Sequence, residues 1–83
     1  MIDTDGVRVA VEEMAQVLRA DGGDLLLVAA DPRTDRIEVR VELQGVDCLE
    51  CVMPPTALRD IISASIARRS PGEFELVVVD PRA

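Results

Sequence analysis

Residues 37–44 alternate without a fault: Ile37, Val39, Val41 and Leu43 fall on one side of an extended chain, and Glu38, Arg40, Glu42 and Gln44 on the other. A strand of this kind belongs to a sheet with one dry and one wet face, so other elements must cover its apolar side. The chain has two helical segments for that purpose. In residues 4–20, Val7, Val11, Met14 and Leu18 recur at helical spacing. Thr4 or Asp5 is placed to cap this helix, and the Gly22-Gly23 pair to supply the left-handed backbone that ends it. A second helix opens at Pro54-Pro55, carries Asp60 in its first turns, and buries Leu58, Ile61, Ile62 and Ile66. It holds Arg68-Arg69 at its negative end and stops at Ser70-Pro71-Gly72.

Asp24 opens an apolar run, residues 25–30, and the turn-forming Asp31-Pro32-Arg33-Thr34-Asp35 joins it to residues 37–44 as an antiparallel hairpin. Phe74, Leu76 and Val78 alternate with Glu73 and Glu75 in a last strand, after which Asp80-Pro81-Arg82 closes the chain. Strand, crossover helix and strand in one sheet favour a parallel third strand. The expectation is an α+β two-layer fold in the order α-β-β-α-β: a three-stranded mixed sheet with two helices packed on one face. Residues 1–83 form a single domain, since a chain of 83 residues buries one core.

Composition removes most function classes. Phe74 is the only aromatic residue, so base stacking is absent, and a net charge of -7 repels phosphate backbones and anionic lipid; neither nucleic acid nor membrane is expected as a partner. Histidine is missing, which excludes Ser-His, Cys-His and His-metal arrangements within one chain. Lysine is missing as well, and with it Schiff-base chemistry and the phosphate-loop lysine. No enzymatic activity is expected. The start of the sequence has neither the basic flank nor the apolar run of a signal peptide, and no stretch reaches the length of a membrane span, so the expected location is cytoplasmic.

What remains is Cys48-x-x-Cys51, in the loop that leaves the carboxyl end of the second strand, where open α/β sheets place ligands. Two thiols at this spacing chelate a metal or cluster, form a reducible disulfide, or pack as small hydrophobes. Asp47 and Glu50 favour an exposed loop over packing, and the same acidic neighbours oppose the lowered thiolate pKa of a redox dithiol. A tetrahedral zinc site or an iron-sulfur cluster takes four ligands, and one chain offers two thiolates; a symmetric pair of chains offers four.

The run LRADGGDLLLV at residues 18–28, followed by a hairpin and VELQGVDCLEC at residues 41–51, resembles the NifU-like C-terminal domain of the Nfu-type iron-sulfur carriers. The residues that carry the resemblance are Ala20-Asp21-Gly22-Gly23-Asp24, then Leu43-Gln44-Gly45 with the two cysteines, and it extends over most of the chain. It implies that Cys48 and Cys51 hold a labile [4Fe-4S] cluster between two subunits. It implies further that the chain is a homodimer when loaded, and that it passes the cluster to apo iron-sulfur proteins, with an assembly scaffold upstream. Zinc is the alternative metal, and a thiol-disulfide module or a cluster-free interaction domain of the same fold is the alternative function. Two features depart from the family pattern: Glu50 lies between the cysteines, and the prolines that commonly follow at once are displaced to Pro54 and Pro55. Like charge at Glu50 is expected to weaken or tune a bound anionic cluster. Without a long apolar helix face left over, the metal-free chain is expected to be largely monomeric.

Overall fold

Asp3 precedes a 17-residue amphipathic helix, α1 (Thr4–Ala20), and its carboxylate accepts from the Gly6 N–H at 3.2 Å. The cap is therefore Asp3, one residue ahead of the Thr4 or Asp5 suggested by the sequence, and Asp5 sits instead in the first helical turn. The structure is a computed structural model, and it describes residues 2–82. Val7, Val11, Met14 and Leu18 are buried together with Ala10 and Ala15. These small residues let α1 lie close to its neighbours.

The chain then forms β1 (Asp24–Asp31), β2 (Arg36–Glu42), a single 3-10 turn (Leu49–Cys51), α2 (Pro55–Arg69) and β3 (Glu75–Val79). β2 is central, antiparallel to β1 and parallel to β3. The observed order is α-β-β-α-β with a three-stranded mixed sheet, the α+β arrangement implied by the hydrophobic patterning. One β2 face contributes Ile37, Val39 and Val41 to the core, each at most 2% exposed, and they join the buried residues of both helices. The other face carries Arg36, Glu38, Arg40 and Glu42, and helices cover only one side.

Other details differ from the sequence reading, among them the last strand, which begins at Glu75 and leaves Glu73 and Phe74 outside it. β2 ends at Glu42 rather than at position 44, because the chain turns from Leu43, whose carbonyl accepts the Val46 N–H at 3.1 Å. Leu43 stays buried past the end of the strand. β1 carries a bulge between Leu27 and Ala29, which turns Val28 outward to 52% exposure. In α2 the buried stripe is Leu58, Ile62, Ser65 and Ile66, while Ile61 is exposed at 41%. An arc of about 100° per residue separates Ile61 from Ile62, and only one of them faces the sheet.

Polar contacts fix the elements to one another. Arg19 on the last turn of α1 pairs with Glu12 at 2.8 Å and with Asp24 of β1 at 3.0 Å, and its guanidinium pKa is raised chiefly by the hydrogen bond to Glu12. Arg69 at the end of α2 pairs with Glu13 of α1. Arg59 of α2 donates to the Leu76 carbonyl of β3 at 3.0 Å. Among the described residues, no helix is long and apolar enough to cross a membrane.

Candidate functional site

The loop between β2 and α2 carries the two cysteines. Leu43 to Val46 is a turn, and the chain then bends through Asp47 into the 3-10 turn, where the Cys51 N–H donates to the Cys48 carbonyl at 3.1 Å. That turn brings the two Cα atoms to 5.3 Å, and the sulfurs are joined as a disulfide. Asp47, Cys48, Glu50 and Cys51 are all exposed, as the acidic flanks indicated. Val52, next in sequence, is 4% exposed and belongs to the core cluster. The loop is anchored at one end by Leu43 and at the other by Val52; between them Gln44, Gly45, Asp47, Cys48, Glu50 and Cys51 are exposed and Val46 is half-buried.

α2 does not begin at the cysteines. Its N-cap is Pro54 and its first residue Pro55, so three residues separate Cys51 from the start of the helix at Pro55. The displaced prolines thus have a structural consequence: the favourable field of a helix N-terminus, which falls off within a turn, reaches the thiols at a distance.

The two glycine motifs meet behind this loop. Gly22 has φ +90, in the left-handed region, and ends α1; a Cβ built on it would run into the Gly45 carbonyl. In return, a Cβ on Gly45 would stand 2.5 Å from the Gly22 carbonyl. The turn from α1 into β1 is therefore pressed, backbone on backbone, against the turn that leads to Cys48. This explains the pairing in one sequence of A-D-G-G-D with a glycine three residues before the first cysteine. Gly23 is not left-handed, contrary to the expectation for the pair. Asp21 serves as the C-cap of α1, and Asp24 accepts from Arg19 and from its own chain at Leu25.

A second support comes from the end of the chain. Asp80 and Arg82 form a two-pronged ion pair, with Arg82 Nη2 to Asp80 Oδ2 at 2.8 Å and Arg82 Nε to Asp80 Oδ1 at 3.1 Å, and the Arg82 N–H also donates to Asp80 Oδ1 at 2.8 Å. The Asp80 side chain is 2% exposed. The hydrogen bond from Arg82 holds the Asp80 carboxyl below its ordinary pKa, and the same bond raises that of Arg82. Arg82 Nη1 then donates to the Val52 carbonyl at 3.3 Å, one residue beyond Cys51. Sequence inspection missed this strap, because Asp-Pro-Arg reads as a plain turn. Met14 is in the core and Met53 packs on its rim, so neither is presented at the loop.

Among the described residues, no group of three or more His, Cys, Asp or Glu side chains is gathered as a metal site. The two sulfurs are the donors this loop has to offer. Once the disulfide is reduced, a donor pair of thiols with acidic and aliphatic neighbours suits a thiophilic metal or an iron-sulfur cluster that finds its remaining ligands elsewhere.

Searches of curated proteins and of solved structures gave no match. A family model described as NifU-like domain matches residues 7–78, from the first turn of α1 to the fourth residue of β3. That span contains both glycine motifs and both cysteines. The chain belongs to the NifU-like domain family, whose role lies in iron-sulfur cluster assembly.

Proposed function

We propose that the chain is a carrier that holds a [4Fe-4S] cluster as cargo between two copies of itself, through Cys48 and Cys51 of each, and delivers it to apo-proteins. The observation that carries this reading is the exposed Cys48-x-x-Cys51 turn, two sulfurs brought together at the carboxyl end of the sheet in a chain with no histidine. Four thiolates complete a cluster, and a two-fold pair of such loops provides four. Family membership supports cargo of this class, and exposure supports hand-over, since ligands from a recipient reach the site without opening the fold.

The disulfide form holds no metal. Two electrons and two protons, supplied by an external thiol or dithiol, convert it to two thiols, and loading then releases those protons as the thiolates bind. Such a carrier works in a reducing compartment, which places it in the cytoplasm. It turns nothing over, and zinc competes for the same thiolates.

A second reading, a thiol-disulfide module, is favoured by the disulfide itself. One experiment separates the two. Reduced protein is reconstituted anaerobically with iron and sulfide, analysed for iron, sulfide and zinc, and sized by light scattering at micromolar concentration. The carrier reading expects a brown species with one cluster per two chains and twice the monomer mass, returning to monomer on chelation. A colourless protein, or a coloured monomer with full cluster content, overturns it. Glu50→Gln should lengthen the cluster's lifetime against a chelator, since Glu50 lies in the exposed 3-10 turn between its ligands. An unchanged lifetime shows that the carboxylate has no influence.

A further inference from the structure

Among the described residues nothing covers the face of the sheet opposite the helices, and the pattern along its central strand is self-complementary. Down the central strand the outward residues are Arg36, Glu38, Arg40 and Glu42, strictly alternating in sign. On the flanks the outward residues level with Glu38 and Arg40 are aliphatic: Leu26 beside Arg40 on β1, with Val28 and Ala29 at the level of Glu38, and Val79 beside Arg40 and Val77 beside Glu38 on β3; beyond them stand three acids, Asp24 beside Glu42, Asp31 beside Arg36 and Glu75 beside Arg36. Leu26, Val28 and Val79 are 42%, 52% and 45% exposed, whereas aliphatic side chains of this size are ordinarily buried.

We infer that this face pairs with the same face of a second copy, about a two-fold axis that lies between the two sheets, perpendicular to the strands and level with Val39. Such an axis sets β2 antiparallel over its counterpart, so that position 36 meets 42 and position 38 meets 40 of the other chain. Every one of the four meetings is then Arg on Glu. The same axis sets Leu26 against the Val28-Ala29 bulge and Val79 against Val77, apolar on apolar on both flanks, and at the ends of β1 it brings Asp24 over Asp31, like charge on like, which weakens the pair. A two-fold axis parallel to the strands would instead place each arginine over its own copy, and is excluded by charge. Face-to-face sheets pack about 10 Å apart and within roughly 30° of alignment, which long Arg and Glu side chains span. A groove of about 560 Å³, bordered by Arg40, Glu42, Val79 and Arg82, opens at the carboxyl end of this face and receives the other chain's Arg36 beside Glu42.

The footprint is small. Three strands by five residues measure about 17 by 14 Å in plan, below the roughly 800 Å² that each partner contributes to a stable interface. The rim carries Asp24 and Asp31, whose carboxylates already accept from Arg19 and from the Arg33 N–H. The pair is therefore weak and forms at high local concentration. It is separate from a cluster-bridged pair, because antiparallel β2 strands send the two cysteine loops to opposite ends, and both contacts are open to one chain at once.

The test uses metal-free full-length chain with Cys48→Ser and Cys51→Ser, which removes cluster and interchain disulfides alike, so its result is independent of the carrier reading. Sedimentation equilibrium from about 10 μM to about 1 mM should show mass rising toward that of a dimer, as a patch of this size implies. Glu38→Arg alone places Arg on Arg, and Arg40→Glu alone places Glu on Glu; each should weaken association at least about tenfold. Mixing the two single variants restores all four Arg-Glu meetings, so the mixture, and the double swap Glu38→Arg/Arg40→Glu by itself, should associate as the parent does. A monomer up to 1 mM, single variants that associate unchanged, or a folded mixture that stays monomeric would each overturn the inference. Circular dichroism checks folding, and should either variant unfold, Arg36→Glu mixed with Glu42→Arg asks the same question at the outer positions.

Discussion

Single residues set the geometry around the cysteines. Gly22 is constrained twice, by φ +90 and by contact with the Gly45 carbonyl, and Gly45 is constrained by the same contact from the other side. Gly22→Ala is expected to cost about 1–3 kcal/mol, from a left-handed alanine and the displaced Gly45 backbone, measurable as a lower urea midpoint. The displacement also moves the loop, so reconstituted iron content should fall more than the loss of folded protein explains. Asp80 belongs to this scale too. Its carboxyl pKa is lowered in the folded state by the hydrogen bond from Arg82, so its contribution to stability is full above the unfolded value of about 4 and is lost as pH falls through the folded value. Asp80→Asn should therefore be less stable than the parent at pH 7 by roughly 1–3 kcal/mol, with a gap that narrows below about pH 4. A gap constant from pH 7 to pH 3 in denaturant titrations would remove the ion pair as its cause.

At the scale of elements, hydrophobic period and burial agree wherever one face is decisive. α1 runs from Thr4 to Ala20 as its apolar spacing indicates, because Val7, Val11, Met14 and Leu18 have one direction in which to be buried. α2 is less legible: Leu58, Ile61, Ile62 and Ile66 form a stripe wider than the surface that receives them. Ile62 is 0% exposed and Ile61 is 41%. Ile62→Ala is expected to destabilise by about 2–5 kcal/mol, and Ile61→Ala by less than about 1 kcal/mol, in the same unfolding assay. Equal losses would mean that α2 is rotated about its axis. The β1 bulge at Val28 left no mark in an all-aliphatic run, where a displaced register changes no hydrophobic period.

For the whole molecule, the carrier reading makes a prediction that no single element carries: the two cysteines of each copy act as one set. Cys48→Ser and Cys51→Ser, made singly, should each retain only a small part of the parent's iron and sulfide, and each should lose the cluster-linked dimer, because one missing thiolate in each copy leaves two irons open. Full retention in either variant, by metal analysis and light scattering, would show that the loops do not share a cargo. The chain itself should stay folded, since both cysteines are exposed and the core closes without them.

Period and turn chemistry in the sequence determined the element order, the mixed sheet, the buried faces of α1 and β2, and the exposed acidic loop at Cys48 and Cys51. Those features follow from forces that act within a few residues, namely alternation, capping and proline geometry. Tertiary structure decided what depends on where distant segments meet. Gly22 and Gly45 are ordinary turn glycines until their turns touch. The Asp-Pro-Arg triplet occurs twice, at Asp31 and at Asp80, and each time the aspartate accepts the N–H two residues on. Only packing distinguishes them: Arg33 is exposed, whereas Arg82 is drawn against buried Asp80 and reaches the carbonyl beyond Cys51. The physical reason is that local pattern fixes a backbone's shape, and the partner a side chain meets is fixed by which surfaces the fold brings together.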